Sequence, residues 1–257
     1  LMITSAANKQ VKWVCSLQTR RRARQQDGSF VIEGLRLLEE ALRAQCKPRL
    51  VFHTPEWAEN HLQLLPSLQE SGAQIEVVSE TVMAKCSDVE NSQGVLAVLS
   101  LKEAGQEGRS DPTLILDRLA DPGNLGTILR TALAAGAWTI YLTHGTVDAY
   151  NPKVVRAAMG AHFYLNILEA PVDQILIWVD DLPLWVAEAR AGEMYHRVDW
   201  RNPIALAIGS EAHGLHTDLL ARASGRVQIP ITPQSESLNA AVAAAVILFE
   251  IQRQRKD

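Results

Sequence analysis

The chain has 257 residues, 47% of them hydrophobic, and a formal net charge of −4, which suits one large domain or two small ones with a real core. No run of about 18 apolar residues predicts a transmembrane helix, and the polar start, Leu1 to Gln10, lacks the apolar core of a secretory signal. Cys15, Cys46 and Cys86 are widely spaced, make no metal pattern and read as free thiols of a reducing cytoplasm.

Taken in chain order, the first feature is electrostatic. Leu1 to Gln26 carries no acid but holds Lys9, Lys12, Arg20, Arg21, Arg22 and Arg24, and Arg253, Arg255 and Lys256 close the chain. Clusters of this kind suit phosphate contacts. A short arginine run is equally compatible with a solvated helix face, and the overall acidity argues weakly against bulk nucleic-acid affinity. Strands are predicted at Ser29–Glu33, Arg49–His53, Gln74–Ser79 and Gly94–Leu99, with Leu35, Leu38, Ala41 and Leu42 at helical spacing between the first two. The charged, glycine-containing stretch Lys102–Pro112 reads as a linker. It divides the chain into residues 1–101, 102–112 and 113–257. Beyond it, strands are predicted at Thr113–Leu116, Thr139–Leu142, Leu184–Ala187, Ala205–Ile208 and Arg226–Ile229, with helical patterns between. Strands alternating with helices predict α/β domains on largely parallel sheets.

Three stretches carry candidate chemistry. In Asp117–Gly136 a strand runs into the turn Asp121-Pro122-Gly123, and Asn124 occupies the expected helix N-cap. Leu125, Ile128, Leu129, Ala132 and Leu133 form the buried stripe, leaving Arg130 on another face with Gly126, Thr127 and Ala134. In Ala205–Leu215 an apolar strand ends in Gly209, Ser210, Glu211 and Gly214, at the kind of strand end where α/β sheets bind ligands. In Ile229–Arg255 a strand and a proline-containing loop lead to an alanine-rich helix starting near Ser237, with Ser235 or Ser237 as its cap. Each stretch alone is also compatible with an ordinary turn, cap or surface arginine.

Together and in this order, DPGNLGTILRTA, GSEAHG and IPITPQSESLNAAVA resemble the three motifs of the SpoU family of ribose 2′-O-methyltransferases. VDAYNPKVVRAAMGA is similar to that family's connecting segment. GSFVIEGLRLLEEAL and NSQGVLAVL resemble its small substrate-binding domain, itself similar to a ribosomal RNA-binding protein. The resemblance implies a smaller N-terminal α/β RNA-binding domain and a C-terminal catalytic domain with a trefoil knot, S-adenosylmethionine as methyl donor, no metal, and a homodimer whose active site is shared between protomers. Residue by residue, it assigns Asn124, Arg130, Glu211, Ser237 and Asn239 to catalysis, and Gly209, Ile229 and Leu238 to backbone contacts with the donor. Arg20, Arg21, Arg22 and Arg24 fall in the implied RNA-binding domain. The sequence departs from the pattern at Ser210, where asparagine is frequent, and at Ala240 and Ala241, where valine and serine are; these changes keep small or polar character.

A guanidinium stays protonated at neutral pH and is a poor base. Arg130 is therefore better suited to stabilising a developing alkoxide and gripping a phosphate. A nicotinamide enzyme is excluded by the lack of G-x-G-x-x-G after an early strand. A separate N-terminal binding domain favours structured 23S-type ribosomal RNA as substrate, with transfer RNA, or a non-catalytic RNA-binding relative, as the alternatives. A cytoplasmic location is expected.

Overall fold

The computed structural model describes residues 2–102, 111–210 and 213–256. They form two compact units: Leu1–Lys102 with Tyr150–Phe163, and Glu103–Ala149 with Tyr164–Asp257. Of the expected linker, residues 103–110 lie outside the described residues. Residues 150–163, which lie far beyond that linker in sequence, group with the first unit.

The chain opens with α1 (Lys9–Thr19), α2 (Arg21–Asp27), β1 (Ser29–Glu33), α3 (Leu35–Arg43) and β2 (Leu50–His53). It continues through α4 (Pro55–Asn60), α5 (Leu65–Glu70), β3 (Gln74–Val77), α6 (Glu80–Cys86) and β4 (Val95–Ser100). The strands make one sheet in the order β1-β4-β2-β3. Strand β4 runs antiparallel to both β1 and β2, and only β2 and β3 are parallel. This corrects the expectation of a largely parallel sheet here. Strands β1, β2 and β4 are mostly buried runs covered on both faces, and such runs carry no sign of direction. Val14 and Leu17 of α1 and Met83 of α6 pack with Phe52 and Val98 in the core. The same packing brings the thiols of Cys15 and Cys86 to 3.8 Å, both free.

The second unit begins with β5 (Thr113–Asp117), α7 (Pro122–Ala135) and β6 (Thr139–Thr143). After α8 (Pro152–Ala158), which belongs to the first unit, come β7 (Asn166–Ala170), α9 (Val172–Trp178), β8 (Leu184–Ala187) and β9 (Glu193–Met194). Next are β10 (Ala205–Gly209), α10 (Thr217–Arg222), β11 (Gly225–Gln228) and α11 (Ala240–Lys256). The sheet has seven strands in the order β7-β6-β5-β10-β8-β11-β9, and each pairing among the described residues is parallel. The two strands the sequence did not predict, β7 and β9, stand at its edges; β7 is only partly buried and β9 is two residues long. Helix α11 lies against α7, and Gln252 Nε2 donates to the Ala134 carbonyl at 3.1 Å.

Both basic clusters are partly structural. Arg24 is 4% exposed, and its Nη1 donates to the carbonyls of Leu17 at 2.5 Å and Gln18 at 3.2 Å. These carbonyls end α1, where a cation satisfies orphan acceptors and opposes the helix dipole. Arg24 therefore caps a helix and is withdrawn from the phosphate-contacting set, while Arg20 and Arg22 are exposed and Arg21 is half-buried. At the other end, Arg255 pairs with Asp111 at 2.9 Å and donates to the carbonyls of Trp200 and Asn202. Arg253 grips both carboxylate oxygens of Glu250 and holds that carboxyl down at about 2. Arg24→Ala is expected to cost about 2 kcal/mol of folding stability, because it strands buried carbonyls, whereas Arg22→Ala should leave the urea midpoint unchanged. Equal midpoints for the two variants would refute the capping role.

Candidate functional site

The parallel sheet of the second unit presents the carboxyl ends of its strands on one side. In open α/β sheets such ends are where ligands sit. A cavity of about 230 Å³ lies there, lined by the ends of β8 (Ala187, Glu188), β10 (Ile208, Gly209) and β11 (Val227), and by Ile229 and Leu238. Ser237, Ala240, Ala243 and Ile247 close it from the α11 side. Three sequence-predicted donor positions, Gly209, Ile229 and Leu238, thus face one space, and Ser237 joins them.

Gly209 is required by a close approach. A Cβ there would stand 2.5 Å from the Gly214 carbonyl oxygen and 2.9 Å from the Leu215 nitrogen, both backbone atoms. The loop returns so tightly that Ser210 and Gly214 bridge, with the Gly214 N–H donating to the Ser210 carbonyl at 2.9 Å. The candidate Glu211 lies outside the described residues.

A residue the sequence reading did not select anchors this loop. Asp117, at the end of β5, is completely buried. Its carboxylate accepts from the Thr143 hydroxyl at 2.6 Å, from the His216 backbone N–H at 2.7 Å and from Arg118 Nε at 3.3 Å. Arg118 has a φ of 53°, a conformation non-glycine residues keep only where the surroundings hold it; its N–H donates to Thr143 Oγ1 at 3.1 Å. The available signal was an acid ending an otherwise apolar strand.

Two caps correct the sequence reading. Helix α7 is capped by Asp121, whose side chain accepts from the Asn124 N–H at 2.7 Å, with Pro122 in the first turn. Asn124 is therefore inside the helix, not its N-cap. Helix α11 is capped by Asn239, whose Oδ1 accepts from Ala241 N at 2.9 Å and Val242 N at 3.3 Å, rather than by Ser235 or Ser237. Asn239 Nδ2 donates to Asn124 Oδ1 at 2.9 Å, which joins the first and third motifs directly. Upstream of the cap, Arg190 donates to the Ser235 carbonyl at 2.8 Å and holds the loop between β11 and α11. Arg130 is exposed on α7, does not line the cavity, and has no hydrogen-bond or ion-pair partner among the described residues. Among those residues no cluster of three His, Cys, Asp or Glu side chains is placed to hold a metal, and no helix is long and apolar enough to cross a membrane.

The cavity is chemically suited to an adenosine-bearing donor. Its walls are aliphatic, and tight turns at Gly209 and Gly214 bring backbone amides and carbonyls close to the space.

Residues 8–97 match the MRM3-like substrate binding domain. The chain is 33% identical to a 23S rRNA (guanosine(2553)-2′-O)-methyltransferase of Bacillus subtilis, over 97% of this chain and 98% of that one. It is 36% identical to an uncharacterised tRNA/rRNA methyltransferase of Synechocystis, over 98% and 94%. The structure of an AdoMet-bound rRNA methyltransferase from Sinorhizobium meliloti superposes with a TM-score of 0.86 at 30% identity, covering 98% of this chain and 97% of that one. Residues 111–249, which hold the cavity and the Asn124–Asn239 bond, match the SpoU rRNA methylase model, and the chain belongs to the SpoU rRNA methylase family.

Proposed function

We propose that the chain methylates a ribose 2′-hydroxyl of 23S-type ribosomal RNA, using S-adenosylmethionine, as a cytoplasmic homodimer without a metal. The observation that carries this reading is the convergence of Gly209, Ile229, Ser237 and Leu238 on one cavity at the strand ends of a SpoU-family chain. The similar Sinorhizobium meliloti protein binds AdoMet, and the similar Bacillus subtilis protein acts on a 23S guanosine 2′-oxygen; both support it. The family's trefoil knot belongs to the same reading, with its pocket in the stretch 209–239.

In this reading the backbone at Gly209, Ile229 and Leu238 holds the donor, which supplies an electrophilic methyl group. The protein's remaining task is to place the ribose oxygen and ease the loss of its proton. Arg130, with no protein partner among the described residues, has its planar donors available for the neighbouring phosphate and the developing alkoxide. Asn124, Glu211, Ser237 and Asn239 position the nucleotide. Because Arg130 stands outside the cavity of its own chain, a second protomer would complete the site. Val242 and Phe249 on α11, 49% and 47% exposed, give that contact its apolar surface.

Incubation with labelled donor and purified 23S rRNA or transfer RNA, followed by mapping of 2′-O-methyl groups, tests the proposal. Label in 23S rRNA alone is expected; label in transfer RNA alone would replace the substrate, and none in either would discard the activity. Gly209→Ala should weaken donor binding at least tenfold, about 1.4 kcal/mol, with an unchanged circular dichroism spectrum; undiminished affinity by calorimetry would misplace the pocket. Arg130→Ala should lose roughly 100-fold or more in single-turnover rate. Arg130→Lys should be nearly as slow, because lysine keeps the charge but not the two-pronged grip; a lysine variant with substantial activity that rises with pH would instead make the residue a base. Light scattering should give twice the 28.3 kDa chain mass. Phe249→Glu should yield a monomer without methyl transfer, and an active monomer would overturn the shared site.

A further inference from the structure

The first unit has a cavity of its own, of about 260 Å³. Its floor is aromatic. Phe30 of β1 stands 5.0 Å from the Tyr150 ring and 6.0 Å from His162, and Tyr150 and His162 are 5.3 Å apart. Phe30 and His162 are 3% and 4% exposed, whereas Tyr150 is only half-buried at the edge. The rim is polar: Cys46 and Lys47 follow α3, and Ser100 and Lys102 come from the end of β4. Both lysines are exposed. The charge of Lys102 reaches the Cys46 thiol, where it opposes the upward push of burial.

The cavity opens to solvent between an aromatic floor and a cationic rim. Aromatic faces stack on any nucleobase, and lysines neutralise the adjoining phosphate, which is the combination that recognises unpaired nucleotides. None of these residues belongs to the donor cavity or to the three motifs. The arginines of the α1–α2 junction do not line this cavity either.

We propose that this cavity holds one unpaired nucleotide of the RNA substrate, its base stacked on Tyr150 above the Phe30–His162 floor and its phosphate at Lys47 and Lys102. That the nucleotide is part of a ribosomal RNA rests on the methyltransferase reading; the ligand class, a planar base with a phosphate, rests on the cavity alone.

Two titrations of the full-length protein separate these claims. In the first, adenosine and uridine 5′-monophosphates are added to wild type, Tyr150→Ala and the surface double variant Lys47→Ala/Lys102→Ala, and ring resonances are followed by NMR. In the second, the same proteins bind a 23S rRNA fragment. Monophosphates should shift the Tyr150 and His162 resonances, and each variant should weaken both ligands at least about fivefold. Donor affinity should not change in either variant, and the thermal midpoint of the lysine double variant should match that of wild type. Adenosine without its phosphate should bind wild type and the double lysine variant alike. Unaltered nucleotide and RNA affinities in correctly folded variants would overturn the proposal, and the lysine pair still decides the matter if Tyr150→Ala does not fold. Monophosphate binding lost in Tyr150→Ala, beside a wild type that transfers no methyl group to RNA, would uphold the site and discard the methyltransferase reading instead.

Discussion

A carboxylate sealed from water sets the arrangement of the second unit. Taking Asp117 out of solvent is costly unless its lone pairs are satisfied, and the donors that satisfy it come from different parts of the chain. Thr143 belongs to the end of β6, the His216 N–H to the segment following β10, and Arg118 to the turn leaving β5. The carboxylate can be accommodated only when these three are in register, so it fixes where the loop after Gly209 returns. Arg118 Nη2 extends the same network to the Gly214 carbonyl at 3.4 Å. Gly214 is the residue whose backbone leaves no room for a Cβ at Gly209. One buried acid thereby connects the strand ends to the cavity wall at Gly209.

The second junction depends on a single asparagine. Asn239 uses its carbonyl oxygen to start α11 and its amide to hold Asn124. The segment SESLNAA offers several residues that cap helices equally well. Local preference could not choose among them; the choice was made by a partner 115 positions away. The start of α7 was different, because the answer was present locally. Proline favours the first helical position, so Pro122 pointed to Asp121 as the cap, and the glycine and asparagine that follow already lie within the helix.

The same division between local and distant information runs through the fold. Strands whose cores are apolar on both faces, such as β4, β5 and β10, were legible within a residue or so of their ends. Edge strands β7 and β9 bury less and carry little pattern. Strand direction in the first unit was illegible, since a doubly covered strand reads alike in parallel and antiparallel sheets. The grouping of residues 150–163 with the first unit was also hidden: Tyr150 and His162, the aromatic partners of Phe30, lie far downstream of it in sequence. Gly209, Ile229 and Leu238 were singled out only by a resemblance, and their shared cavity follows from the parallel sheet that aligns the strand ends.

Charge shows why composition alone understated the chemistry. A chain of net charge −4 must bind a polyanion, in the proposed function, through a few well-placed cations. Several arginines are committed to the fold: Arg24 caps a helix, Arg255 ties Asp111 to the end of α11, and Arg190 holds the loop before Asn239. Each spends its donors on protein carbonyls or carboxylates, so none offers a full guanidinium to a phosphate. Arg130 is the contrasting case, a guanidinium on a helix whose opposite face is buried by Leu125, Ile128 and Leu129. Its backbone is fixed by the core and by the Asn124–Asn239 bond one to two turns away, while its donors have no partner among the described residues. In the proposed function, a rigid base carrying planar donors with no protein partner among the described residues suits electrostatic stabilisation: little reorganisation is needed when the charge develops.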